Sequence, residues 1–240
     1  MKINADFTQI AFCDTQAEDW IASPMPGVER KPLDRIGEEV ARATSIVRYA
    51  PNSQFSPHVH TGGEEFVVLE GVFQDEHGDY PPGSYVRNPP QSKHTPGAKQ
   101  GCVIFVKLWQ FDLQDRQHVN VLMQSLTPEP DQQTDVTVRS LYRDENEIVS
   151  HLSFKKDTQY QVDAELGAEV LVLTGELTAT MQQDASQSET IKTLAKHAWL
   201  RVPMGARLVL SSPQEQLTCW LKTHHLNQVA AQIDRLEAIV

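Results

Sequence analysis

From residue 42 onward the chain is interrupted about every 8–12 residues by Gly, Pro, Asn or Asp, with β-branched or aromatic runs between the interruptions. No other feature restricts the fold as strongly. Helices of ordinary length do not survive such spacing, whereas short antiparallel strands depend on it. The runs Ser45–Tyr49, Glu65–Leu69, Ser84–Arg87 and Cys102–Trp109 are expected as strands, and APNSQFSP, DEHGDYPPG and RNPPQSKHTPGAKQG as turns or barrel rims. A second series follows at Asp135–Leu141, Ile148–Phe154, Glu169–Leu173, Leu177–Met181, Ala198–Val202, Arg207–Leu210 and Gln216–Lys222. The segment TPEPDQQTD at 127–135 separates the two series and has a linker's composition.

The halves share short phrases. Val68–Gly71 reads V-L-E-G and Val172–Gly175 reads V-L-T-G, and Tyr85-Val-Arg-Asn-Pro89 returns as Trp199-Leu-Arg-Val-Pro203. This predicts an internal duplication with a period too long for a solenoid. The length of 240 residues fits two domains of roughly 100–120 residues. At the end of the chain Leu226, Val229, Ile233, Leu236 and Val240 fall three and four apart with no Pro or Gly among them. That pattern predicts a short amphipathic helix packed on its own domain.

The chemistry concentrates in His58-Val59-His60-Thr61-Gly62-Gly63-Glu64. Two His one residue apart project from the same face of a strand, because side chains alternate along it. Thr-Gly-Gly supplies a turn that lets Glu64 return on the paired strand. His94 follows between Pro-rich stretches suited to strand ends. Three imidazole nitrogens and one carboxylate oxygen can therefore converge on one ion. The other histidines, His77, His118, His151, His197, His224 and His225, have no such spacing and are expected as solvated loop residues.

The pattern H-x-H-x3-E-x6-G, followed by Pro82-Gly83 and a later His, resembles that of the cupin superfamily, whose members are small β-barrels with the metal inside. Asn52 stands where the first motif usually begins with Gly, and Pro81-Pro82-Gly83 replaces the usual P-x-G. Neither change touches a ligand position. The phrases PGVERKPLDR, ARATSIVRYAP, HVHTGGEEFVVLEG, DEHGDYPPGSYVRNPPQSKH and GCVIFVKL resemble more specifically the cupin domain of ChrR-type anti-sigma factors, over roughly residues 20–110.

The resemblance implies an all-β protein of two tandem cupin (jelly-roll) barrels: residues 1–126 as the metal barrel, 127–225 as a degenerate barrel, and 226–240 as a C-terminal helix. It implies His58, His60, Glu64 and His94 as metal ligands. Glu65 is the neighbouring alternative to Glu64, but only the three-residue gap leaves six residues before Gly71. Matching the repeated phrases sets Val162, Ala164, Ala168 and Leu208 opposite the four ligands, so the second barrel is expected to bind no metal. The ion itself, zinc or else iron, manganese or nickel, is left open by the donor set.

Two functions follow as expectations. One is a regulatory or sensing module related to anti-sigma factors. The 57 residues before His58 hold no His and only Cys13, so the zinc anti-sigma domain is expected to be missing and sigma-factor binding is unsupported. The other is a mononuclear metal enzyme of dioxygenase or isomerase type acting on a small-molecule ligand, with Arg48, Tyr85, Arg87, Lys107 and Trp109 as candidate pocket residues. Composition narrows the partners: a net charge of −11 with no basic stripe argues against nucleic acid and anionic membrane. No signal-like N-terminus or long apolar run occurs, which predicts a cytoplasmic protein. Cys13, Cys102 and Cys219 are odd in number and widely spaced, as expected of buried free thiols. Homodimerisation is expected from the need to cover open sheet edges.

Overall fold

The computed structural model describes residues 1–130, 135–184 and 186–238. Strand dominates it, as the turn spacing requires, and among the described residues every strand pairing is antiparallel. The chain forms two compact units. The first contains Met1–Ala5, Asp19–Met123 and the C-terminal residues from Ala230; the second contains Asp6–Glu18 and Gln124–Val229.

In the first unit the main sheet runs in the order Lys2–Ile3, Val28–Gly37, Ala41–Tyr49, Cys102–Leu108, Glu64–Gly71, Ser84–Asn88, Val119–Leu122. Alternation sends Phe66, Val68, Val86, Ile104 and Val106 into a core shared with Phe73, Tyr80 and Ala98 of a four-stranded sheet, Gly78–Tyr80, Phe73–Asp75, Gly97–Ala98, Ser53–Gln54. A separate ladder pairs His58–Val59 with Lys93–His94. Pro57 and Pro96 lack the N–H that a continuous ladder needs, so this side of the unit is divided into two-residue pieces.

The second unit orders its main sheet Val136–Arg143, Ile148–Phe154, Leu217–Thr223, Ala168–Thr174, Trp199–Val202, Ala11–Cys13. Strand for strand, the first five follow the sequence of Val28–Gly37 to Ser84–Asn88 in the other unit. The likeness extends to single residues. Glu65 lies opposite Arg87 on one side and Lys107 on the other, and Glu169 lies likewise between Arg201 and Lys222. The Tyr85 hydroxyl donates to Glu65 Oε1 at 2.7 Å, and the Trp199 indole N–H donates to Glu169 Oε2 at 3.3 Å. The facing sheet carries Thr158–Val162 and Arg207–Ser212 as one unbroken five-residue ladder, with no proline in either strand.

The ends of the chain differ from the single boundary expected at 126/127. Ala11–Cys13 pairs with Trp199–Arg201, and the Thr15 hydroxyl donates to the His197 carbonyl at 2.9 Å, so residues 6–18 belong to the second unit. The C-terminal helix spans Val229–Glu237 after a 3-10 turn at His225–Gln228. Val240 and residues 131–134 of the expected linker lie outside the described residues. Within the first unit, Gln232 accepts from Arg42 Nε at 2.8 Å and donates to the Gln110 carbonyl at 3.0 Å, while Arg235 donates to the Phe111 carbonyl at 3.0 Å. The helix thus fixes the segment that follows Leu108. Among the described residues no helix is long and apolar enough to cross a membrane.

Candidate metal centre

The broken ladder places the histidines. His58 and His94 are direct cross-strand partners. His60, two residues on from His58, is anchored by its own N–H to the Ser92 carbonyl at 2.9 Å and by its carbonyl to the Gln91 N–H at 2.8 Å. The three rings stand 4.6–5.0 Å apart between centroids, with planes crossed at 71–79°. They offer nitrogens that all lie within 4.8 Å of one another.

Glu64 opens the next strand, after the Thr61-Gly62-Gly63 turn. Its Oε2 comes within 3.4 Å of His60 Nε2 and 3.6 Å of His94 Nε2, and it accepts a hydrogen bond from Asn88 Nδ2 at 3.2 Å. Glu65 is turned to the other face of the sheet, where Tyr85 holds it. The turn can be this tight because rings lie against its glycines. A Cβ on Gly62 would fall 2.2 Å from Trp109 Cδ2, and one on Gly63, whose φ is +80°, would fall 2.4 Å from Phe111 Cδ2.

Burial is uneven across the cluster. His60, His94 and Glu64 are buried, while His58 is exposed. Nε2 of His60 and of His94 are both enclosed and make no hydrogen bond to any described residue. The Glu64 oxygen is near enough to both for an ion pair without making a hydrogen bond to either. Buried nitrogens without partners are costly, and here two of them face a third imidazole and a carboxylate. That donor set fits a divalent cation.

The electrostatics follow the same geometry. Burial holds His60 below the ordinary imidazole value, against the pull of Glu64 and with the help of His94 and His58. Burial also lowers His94, but its hydrogen bond to Asp75 and the charges of Glu64, Asp75 and Glu76 outweigh that effect and leave it raised. For Asp75 burial acts upward, and hydrogen bonds from His94, the His77 N–H and the Tyr80 hydroxyl overcome it, so its carboxyl is lowered.

Among solved structures the chain matches a candidate dioxygenase from Nostoc punctiforme at a TM-score of 0.70 with 16% identity, over 93% of this chain and 85% of that one. The fold is the cupin fold. A candidate glyoxylate-induced protein from Pseudomonas aeruginosa shares it at a TM-score of 0.69 and 15% identity, over 89% of this chain and 86% of that one. Bacillus subtilis oxalate decarboxylase, described with Mn(II) centres, shares it at 0.64 and 8% identity, over 89% and 77%. Residues 8–112 match the family described as ChrR Cupin-like domain. No curated protein matches the chain by sequence.

Several expected positions have other roles in this fold. Tyr85, Arg87 and Lys107 lie on the sheet face opposite the core residues Val86, Ile104 and Val106, away from the histidines. Arg87 pairs with Asp115 and stacks over Phe111, and Lys107 donates to the Thr44 hydroxyl at 3.0 Å. Arg48 is bound to Glu29. Of the five, Trp109 alone reaches the ligand loop, through Gly62. Two of the remaining histidines are not solvated loop residues: His151 is buried in a strand, and the buried His225 lies 3.0 Å from Glu169. Asp75 carried no signal in the sequence beyond its place before a Gly-containing turn; the hairpin Phe73–Asp75 to Gly78–Tyr80 brings it behind His94. A cleft of about 380 Å³ opens there, lined by Phe55, Gln74, Asp75, Asp79 and Thr95 among others.

Proposed function

We propose that His58, His60, Glu64 and His94 hold one divalent metal ion and that the ion acts on a small molecule reaching it from the side of His58. The observation that carries this reading is the asymmetry of burial: three of the four side chains are enclosed and the fourth is exposed. Four protein ligands close a tetrahedral structural zinc site, whereas an ion that takes five or six donors keeps a position for water or substrate, and the exposed side at His58 leaves room for one. When bound, the ion supplies Lewis acidity or a binding position for dioxygen. The chain's own contribution is a rigid, partly dry set of donors and one open approach. A mononuclear enzyme of dioxygenase or isomerase type is the function this arrangement supports best.

A second reading is favoured by the match of residues 8–112 to the ChrR Cupin-like domain: a metal-bound sensing module whose ion responds to a small-molecule signal. In both readings the second unit is a duplicated, metal-free barrel. Its counterparts of the four ligands, Val162, Ala164, Ala168 and Leu208, are buried in its apolar core, and Val162 pairs with Leu208 as His58 pairs with His94.

Elemental analysis of protein purified without added metal tests the site. Wild type should carry about one equivalent of a divalent metal per chain, and His94→Ala should lose most of it. Full metal content in both His58→Ala and His94→Ala would remove the assignment. Iron, manganese or nickel in wild type favours the enzyme, to be followed by oxygen-uptake assays; zinc favours the sensor.

A further inference from the structure

Behind His94, on the side away from the other histidines, the carboxylate of Asp75 accepts three donors. The His77 backbone N–H reaches Oδ1 at 2.8 Å, the Tyr80 hydroxyl reaches Oδ1 at 3.0 Å and Oδ2 at 3.2 Å, and His94 Nδ1 lies 3.2 Å from Oδ2. The Asp75 side chain is only 4% exposed. The hairpin register, with Asp75 opposite Gly78 and Phe73 opposite Tyr80, holds carboxylate and phenol together from one element.

An ionised carboxylate only accepts hydrogen bonds, so the nitrogen that faces it must carry the proton. We propose that Asp75 is a positioning residue for the metal centre, fixing His94 as the Nδ1–H tautomer and turning its unprotonated Nε2 toward His58, His60 and Glu64. The inference rests on the reading of that cluster as a metal site. His58 obeys the same logic with a weaker partner: its Nδ1 lies 3.3 Å from the Ser56 carbonyl oxygen, which also only accepts. That contact favours the same tautomer in His58, whereas the buried Asp75 contact sets it in His94. Outer partners of this kind orient ligand rings and raise their basicity, and their loss typically costs about 10–100-fold in metal affinity.

Asp75→Asn is the discriminating change because it keeps shape and removes one acceptor. The amide oxygen is retained by the His77 N–H, its closest donor, which leaves the amide NH₂ facing His94 Nδ1. Two donors cannot share that contact, so the ring either carries its proton on Nε2, inside the cluster, or turns away. Tyr80→Phe removes a donor and leaves the carboxylate's contacts with His77 and His94 intact.

The experiment combines long-range proton–nitrogen NMR of histidine-labelled, metal-free protein at about pH 8.5, well above the ordinary imidazole value, with zinc and manganese titrations of the same samples. His94 is assigned by its disappearance in His94→Ala. Expected are a protonated Nδ1 in wild type and Tyr80→Phe, a changed tautomer in Asp75→Asn, and zinc affinity lower by about 10–100-fold in Asp75→Asn alone. A wild-type His94 with its proton on Nε2 overturns the proposal, even should Asp75→Asn fail to fold. So does an Asp75→Asn protein with wild-type tautomer and affinity. If wild type takes up neither metal, it is the metal reading that fails, and the tautomer comparison still decides what Asp75 does.

Discussion

Replacing Gly63 by Ala should destabilise the protein by about 2–5 kcal/mol, the sum of two separable effects. At φ +80° an L side chain is held in the left-handed region, which costs about 1–2 kcal/mol. Its Cβ would also lie 2.4 Å from Cδ2 and 2.5 Å from Cγ of Phe111, and overpacking against a ring held in place costs about 1–3 kcal/mol. The Phe111 backbone is bonded by Arg235 and its ring is covered by Arg87, so it has little freedom to retreat. Two other glycines isolate the effects. Gly205 has φ +76° with nothing within 4 Å of an added Cβ, so Gly205→Ala should show the backbone effect alone. Gly62 is outside the left-handed region but would meet Trp109 at 2.2 Å, so Gly62→Ala should show the steric effect alone. Equilibrium urea unfolding of the three variants, extrapolated to water, supplies the energies, and metal content reports on the loop between His60 and Glu64. Gly63→Ala should cost the most and lose metal, while Gly205→Ala keeps it. Equal costs at Gly63 and Gly205, or a neutral Gly62→Ala, would refute the argument that aromatic contact shapes this turn.

Two further outcomes follow from buried groups. His151 is enclosed, and burial, with Arg139 adding, pushes its pKa down to about 4. Because the folded form binds its proton less readily than the unfolded chain, whose imidazole titrates near about 6.5, stability is complete above that pH and lost as pH falls toward 4, by on the order of 3 kcal/mol. Urea unfolding at stepped pH should show this loss, and His151→Leu should flatten it; an unchanged slope in the variant would sink the assignment. All three cysteines are buried, and burial pushes the Cys102 thiol up to about 12. A thiol reagent near pH 8 should therefore leave the folded protein unmodified and react with all three only after denaturation, and rapid labelling of Cys102 in the native state would contradict it.

The sequence was most informative where a local rule sufficed. The alternation of His58 and His60, the Gly-Gly turn and the count from Glu64 to Gly71 all concern neighbouring residues, and the structure brings Glu64, rather than Glu65, beside the imidazoles. Period-2 alternation could not say which face of a strand is inward, because in Ser84–Asn88 and Cys102–Leu108 both faces are buried. Hence Tyr85, Arg87 and Lys107 were drawn toward the pocket, although Glu65, Asp115 and Thr44 hold them on the far face. The pairing of Ala11–Cys13 with Trp199–Arg201 joins residues nearly the whole chain apart, and a three-residue strand carries no periodicity by which to find it. Asp75 was illegible for a related reason: a carboxylate beside a turn looks solvated until the hairpin carries it behind His94.

The two units show what a buried imidazole cluster costs a barrel of this kind. The second unit closes this part of its facing sheet with an unbroken five-residue ladder and fills the interior with the apolar side chains of Val162, Ala164, Ala168 and Leu208. The first unit gives up both advantages at the same place. Prolines interrupt its ladder, and the interior receives imidazoles whose Nε2 atoms are buried without hydrogen bonds. Each such nitrogen costs about 1–3 kcal/mol relative to a satisfied one, and an apolar side chain in its place would avoid the penalty. Folding alone gives no reason to keep that arrangement, since the second unit demonstrates the better-packed solution on the same strand order. On the proposed reading, a cation bound by those nitrogens in the folded state would convert the penalty into binding free energy and would make the stability of the first unit depend on metal.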